Sequence, residues 1–214
     1  MKEARGSTSR RGAGAPRRSI SPSRERAVDA FLDAAERLLL DVGYAGITTR
    51  ALANEAGMNQ GLVHYYFGTV DEVLLQALER FTGRLIQRQR AMYEADVPFI
   101  EKWRTAMEYL EEDLASGYPK VWLELQALGW NRPEIRERVV GVNAEWRQVL
   151  TDAFGAAADE YRLDRQALPV EAMVSLVMTF NQGIELERLS GVSAEHGELL
   201  AWIDRWLESL EEHR

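Results

Sequence analysis

Gly46-Ile-Thr-Thr-Arg-Ala-Leu-Ala-Asn-Glu-Ala-Gly-Met-Asn-Gln-Gly-Leu-Val-His-Tyr-Tyr-Phe-Gly68 holds two short helical patterns separated by three residues. Thr48 or Thr49 is placed to cap the first, Arg50 to Ala56, whose Leu52, Ala53 and Ala56 face inward. Gly57-Met58-Asn59 supplies the turn, and Asn59 is placed to cap a second helix carrying Leu62, Val63, Tyr66 and Phe67. A sharp turn of this kind needs glycine, and small residues at Ala53 and Ala56 let the second helix lie across the first, which is helix-turn-helix geometry. The exposed face of the second helix then holds Gln60, Gly61, His64 and Tyr65. Such side chains read groove edges or contact phosphates, and Gly61 lets the backbone approach a duplex. A plain αα-hairpin inside a helical core is the competing reading of the same residues.

Working outward, the apolar period stays helical. Upstream, Val28, Phe31, Ala35, Leu38 and Val42 recur at three- and four-residue steps, and Gly43 stops the helix. Downstream, Thr69-Val-Asp-Glu72 is a capping box opening a helix that carries Val73, Leu74, Ala77, Leu78, Phe81 and Leu85 past Met92. Pro98 opens a helix that reaches Ser116, where Gly117-Tyr118-Pro119 breaks it. A tryptophan-rich piece, Val121 to Trp130, follows. Asn131-Arg-Pro-Glu134 is a second capping signature, starting a helix through Val139, Trp146, Leu150 and Phe154 that frays in Gly155-Ala-Ala-Ala158. Pro169 begins a helix from Val170 to about Leu189, and Ser193 caps the last, from Ala194 to Leu210. There is no internal repeat, no strict heptad and no strand pattern. The expected fold is all-α, with about nine helices.

Composition narrows the function classes. The 214 residues are 46 % apolar and include no cysteine, which excludes disulfides, thiolate zinc sites, iron–sulfur clusters and cysteine nucleophiles and fits a reducing, cytoplasmic setting. The three histidines, His64, His196 and His213, are far apart in sequence, so no metal and no cofactor is expected. The most apolar stretch, around Met173 to Phe180, falls well short of the roughly 18 residues that span a bilayer, so the protein is expected to be soluble and free of membrane. Acid clusters at Glu111-Glu112-Asp113 and at Glu208 with Glu211-Glu212 read as solvated polar faces. With no phosphate loop, nucleophile elbow or metal spacing, an enzyme is not expected.

The formal charge of −8 is unevenly spread. Residues 1–24 carry seven basic residues against one acid, a net of +6, and 16 of the 24 are Arg, Ser, Gly or Pro. Residues 1–23 therefore read as a disordered basic arm, either a solvated tail or a segment that touches phosphates.

From about Arg24 to Leu78 the chain resembles the DNA-binding domain of the tetracycline-repressor (TetR) family. The helix before the motif, the Ala53-x-x-Ala56-Gly57 turn, the aromatic-Phe67-Gly68 ending and the capped helix after it carry the likeness. After the arm over residues 1–23, it implies a helix-turn-helix domain over 24–78 and a helical ligand-binding and dimerisation domain over 79–214. It also implies a homodimeric transcription regulator, more often a repressor, bound to double-stranded operator DNA and released by a small-molecule effector. Position by position, Arg50 stands where the family reaches a base edge, and Thr48 and Thr49 at the phosphate-contacting helix start. Asn59, Gln60, Gly61 and Leu62 open the recognition helix, and His64, Tyr65 and Tyr66 occupy its phosphate and groove positions. The chain departs from the pattern at His64, where tyrosine is usual, and at Val70, where many members have lysine. Residues 27–80 hold only Arg37, Arg50 and Arg80 against eight acids. Such a domain needs help to bind a polyanion, and the arm upstream is the obvious source.

Large polarisable side chains concentrate in the middle of the chain. Trp103, Met107, Trp122, Trp130, Met173 and Phe180 are expected to wall an apolar effector pocket, with Asn181 or Gln182 giving a hydrogen bond at one end. Gly183 inside a helix invites close approach of a partner helix, and Leu199, Ile203, Trp206 and Leu210 extend an apolar face suited to a four-helix bundle between two copies. An all-α enzyme or small-molecule carrier with a purely structural helix pair, and a helical adaptor, are the alternatives. Salt-dependent duplex binding separates the first reading from both.

Overall fold

A computed structural model describes residues 22–213. Among them are nine α-helices: α1 (Pro22–Val42), α2 (Thr49–Glu55), α3 (Gly61–Phe67), α4 (Val70–Tyr93), α5 (Phe99–Ser116), α6 (Tyr118–Gly129), α7 (Pro133–Glu160), α8 (Val170–Leu189) and α9 (His196–Glu211). A 3-10 turn, Tyr44–Gly46, links α1 to α2, and no strand occurs among the described residues. The basic arm, save its last two residues, lies outside the described residues.

Two apolar cores form. The first is built on Phe31, Leu52, Val63 and Leu74, all essentially inaccessible, with the Phe67 ring set edge-on against Phe31 at 6.0 Å. Full burial of such side chains stabilises by about 1.5–3 kcal/mol each. This core does not stop at the helix-turn-helix unit: Tyr118, Val121 and Trp122 of α6 and Ile135 and Val142 of α7 close it from the other side. The second core gathers Phe99 and Trp103 of α5, Leu150 and Phe154 of α7, Val174 of α8 and Leu207 of α9. α4 crosses α1 and also packs on α7 and α5, so it belongs to both halves. The expected division between residues 78 and 79 therefore falls inside one continuous helix.

Several helix ends differ from expectation. Thr48 is the cap of α2, which starts one residue early, and Ala56 is its half-buried C-cap. Gly117 adopts φ +81°, turning the chain from α5 straight into α6, so the tryptophan-rich piece is a full helix. Asn131 does not cap α7; Arg132 does so through its backbone, with Pro133 in the first turn. The Gly155-Ala-Ala-Ala158 run does not fray, because Ala157 and Ala158 are buried in the second core, where small side chains allow close packing. Ser193 does not cap α9 either. The chain closes α8 with Gly191 at φ +82° and the Val192 N–H bonded to the Glu187 carbonyl at 2.8 Å, which moves the start of α9 to His196 behind Glu195.

Candidate nucleic-acid interface and effector cavity

Local chemistry sets the helix pair. The Thr48 hydroxyl accepts the Ala51 N–H at 3.1 Å, closing the first turn of α2. Gly57 takes φ +66°, where side chains are strained, and its turn is fastened by the Met58 N–H to the Ala53 carbonyl at 2.9 Å. Asn59 caps as expected in chemistry, its Oδ1 accepting the Gly61 N–H at 2.8 Å, although α3 begins at Gly61 with Gln60 in the cap position. Val63 is locked into the first core and Leu62 is half-buried beside it, so Leu62 serves packing rather than the outer face.

The outward face is Gln60, Gly61, His64 and Tyr65, with Tyr65 76 % exposed. A carbonyl only accepts, so the 2.9 Å contact of His64 Nδ1 with the Gly68 carbonyl puts the proton on Nδ1 and turns Nε2 outward. Tyr66 is half-buried, packs edge-on against Tyr65 at 4.9 Å, and carries the Arg24 guanidinium 5.9 Å above its ring. That contact sets the start of α1 beside α3. Thr49 is half-buried, and Arg50 is exposed without an ion pair among the described residues. The other two basic residues between 27 and 80 are engaged: Arg37 with Glu55 at 2.6 Å, and Arg80 with Asp33 at 2.5 Å and Glu36 at 2.9 Å. Of the three basic residues between 27 and 80, Arg50 is thus the one without an ion pair among the described residues.

Behind this unit, α4 to α8 surround a cavity of about 110 Å³. Trp103, Met107, Trp122, Asn181 and Gln182 line it as expected. Met173 and Phe180 do not: both pack into the second core, Phe180 stacking on Trp103 at 6.3 Å. Trp130 is 76 % exposed, because α6 ends at Gly129 and the following residue leaves the helix layer. Sequence reasoning missed Glu185 and Asp113 in the walls. The Asn181-x-x-x-Glu185 spacing on one helix face was the available signal for Glu185. Asp113 is not on a solvated face; it is half-buried under Arg88, which grips both its oxygens at 2.8 Å.

On the far side, Leu176, Leu186 and Leu189 of α8 and Leu199, Trp202 and Trp206 of α9 are exposed apolar side chains. Gly183 lies on this exposed side with open space around it. Ile203 and Leu210 do not belong to this face; they turn into the second core. No group of three or more acidic or histidine side chains among the described residues is placed to hold a metal ion, and no helix of the described residues is long and apolar enough to cross a membrane.

Residues 31–77, which span the helix pair, match the family model of bacterial regulatory proteins, tetR family. This stretch is a tetR-family helix-turn-helix unit. The HTH-type transcriptional regulator BetI of Rhizobium meliloti is 31 % identical over 70 residues, a third of either chain. A longer alignment joins the chain to the HTH-type transcriptional regulator EthR of Mycobacterium tuberculosis, 29 % identical over 155 residues, 72 % of this chain and 69 % of that one. An alignment of that length reaches well past α4. The fold is shared with a putative transcriptional regulator from Saccharomonospora viridis solved in complex with choline (TM-score 0.67, 20 % identity, 89 % of this chain and 97 % of that one).

Proposed function

We propose that this protein is a homodimeric, DNA-binding transcription regulator, acting as a repressor that a small molecule releases from a palindromic operator. The observation that carries this reading is the outward face of α3 with Arg50 beside it, held on a packed three-helix unit with no other use for that face. Arg50 and Gln60 read base edges, and His64, Tyr65 and the Thr48 hydroxyl position the backbone. The exposed apolar side chains of α8 and α9 support a pair of copies joined there, which two recognition helices about 34–36 Å apart require. The choline bound by the Saccharomonospora viridis neighbour supports a ligand role for the cavity.

Coupling runs through α4 and α6. α4 presents Leu85, Gln89 and Tyr93 to the cavity and Val73 and Leu74 to the first core. α6 presents Trp122 to the cavity while Glu124 accepts the Tyr44 N–H at 2.9 Å, against Gly43 at the end of α1. A ligand that prefers one setting of these helices shifts the spacing of the recognition helices, and operator DNA then weakens ligand binding by the same factor. The basic arm supplies phosphate contacts that the acidic domain lacks.

The test is duplex binding by fluorescence anisotropy across a salt series. A palindrome from the DNA flanking the coding region is expected to bind with a steep salt slope. Removing residues 1–21 is expected to flatten that slope by about 0.9 for each phosphate that the arm neutralises. Absence of salt-dependent duplex binding leaves the carrier or enzyme reading, which keeps the cavity and has no use for the outer face of α3.

A further inference from the structure

The polar end of the cavity holds more hydrogen-bond acceptors than the protein satisfies. Asn181, Gln182 and Glu185 come from one face of α8. The Gln182 amide donates to Gln126 at 2.6 Å, but Asn181 Oδ1 is shut off from solvent and accepts nothing. Glu185 has no hydrogen bond and no ion pair among the described residues. Its charged neighbour is Asp113 on α5, whose own counter-ion, Arg88 on α4, is already committed: Arg88 holds Asp113, reaches Glu112 at 3.3 Å and lies 4.0 Å above the Tyr109 ring. One guanidinium serves two carboxylates there, and Glu185 is a third. From α6 comes Tyr118, whose hydroxyl is taken by Thr82 at 2.8 Å, and from α7 comes Asn143, whose amide donates to the Val139 carbonyl at 3.0 Å.

The remaining walls are apolar, with the rings of Tyr93, Trp103, Trp122 and Trp146 among them. Ring faces are negative and attract cations, the more so where water is excluded. Burial and the Asp113 charge push Glu185 up to about 7, as expected of a carboxyl that lacks a counter-charge. The volume, about 110 Å³, is of the order of the ~150 Å³ cavity that accommodates benzene.

We propose that this cavity takes a protonated amine: a small organic cation with at least one N–H, its ammonium between Glu185 and Asn181 Oδ1 and a ring-sized apolar body against the aromatic walls. The proposal rests on the reading of the cavity as the effector site and names the chemistry of that effector. A carboxylate would meet Glu185 and Asp113 with like charge. A neutral isostere would leave Glu185 without a counter-ion, and a quaternary ammonium would satisfy Glu185 while leaving Asn181 Oδ1 unpaired.

Four probes of one shape separate these cases: benzylammonium, benzyltrimethylammonium, benzyl alcohol and benzoate, titrated into the full-length protein by calorimetry at pH 7.5 with tryptophan fluorescence as a second signal. Benzylammonium is expected to bind at least about tenfold more tightly than benzyl alcohol, which is about 1.4 kcal/mol, and benzoate not at all. Glu185→Gln is expected to bring that ratio near one, with folding checked by its melting transition. Asn181→Leu is expected to weaken benzylammonium and spare benzyltrimethylammonium. Because benzyltrimethylammonium carries no titratable proton, its binding should release a fraction of a proton from the wild-type protein and none from Glu185→Gln, read from the heat in buffers of different ionisation enthalpy. Benzyl alcohol or benzoate binding as tightly as benzylammonium, a preference unchanged in Glu185→Gln, or no binding by any probe each overturns the proposal. Operator binding in the absence of every probe decides the regulator reading independently, so either can fail without the other.

Discussion

The helix-turn-helix unit and the cavity behind it are built on opposite principles. In the first, functional side chains point away from the core, and all of them come from one stretch between Thr48 and Tyr66. In the second they point inward from five helices, α4 to α8, spread from Leu85 to Glu185. An outward-reading site is specified by local chemistry, namely a threonine cap, a left-handed glycine and a buried valine. An inward site is specified by how long helices are set against one another, and a single residue turned the other way changes its membership.

The sharpest way to test the outward half is to remove its symmetry. Leu186→Glu combined with Trp202→Glu places charge on the exposed apolar side of α8 and α9, and light scattering is expected to show monomers. Operator affinity should fall about 1000-fold, the lower end of the gap between specific and non-specific binding. A variant that stays dimeric moves the interface elsewhere.

The inward half is tested by pH. Glu185 has its carboxyl raised from 4.5 to about 7 in the folded chain, so its favourable contribution is complete below about pH 4.5 and is lost as pH rises through 7. At about 1.4 kcal/mol per unit, Glu185→Gln should gain up to about 3 kcal/mol on the wild type near pH 8 and almost nothing near pH 4. Paired urea melts at the two pH values measure this, and equal gains at both would place Glu185 in water.

Single contacts of the reading face are smaller. Arg50→Ala or Gln60→Ala is expected to cost about 1–3 kcal/mol of operator affinity and to relax preference at one position in each half-site. Unchanged ranking of operator variants by Gln60→Ala would remove α3 from the groove. Smallest is Gly57→Ala. Nothing crowds a methyl group there, so the cost is the backbone's own, about 1–2 kcal/mol for an L residue at φ +66°. Thermal unfolding reads it, with the folded protein expected to keep its operator preference.

Legibility in the sequence followed the same division. Thr48, Gly57 and Asn59 act through partners within five residues, so their roles could be read from spacing. The bounds of α8 and the break at Gly117 were legible for the same reason. Trp130, Met173 and Phe180 were not, because a large apolar side chain states that it will be buried without stating against which helix. Ile203 and Leu210 share a helix with Trp202 and Trp206, and the split of that helix between a core side and a bare side depends on where α5 lies. Glu185 was hidden most completely. An acid towards the end of an apolar helix reads as a solvent-facing residue until Asp113 is brought to it from elsewhere in the chain.

α4 runs unbroken for 24 residues, about 36 Å, from the recognition unit to the far wall of the cavity. A protease therefore finds no loop between Val70 and Tyr93, and a fragment ending near residue 78 would uncover the side of the first core, at Leu39, Ala77 and Leu78, that lies beside Tyr118 and Val121 of α6. Amide hydrogens through the middle of α4 should exchange only when the whole chain opens, without a drop in protection at the midpoint of the helix. A molecule bound in the cavity would then slow exchange in α1 and α3, which it never touches.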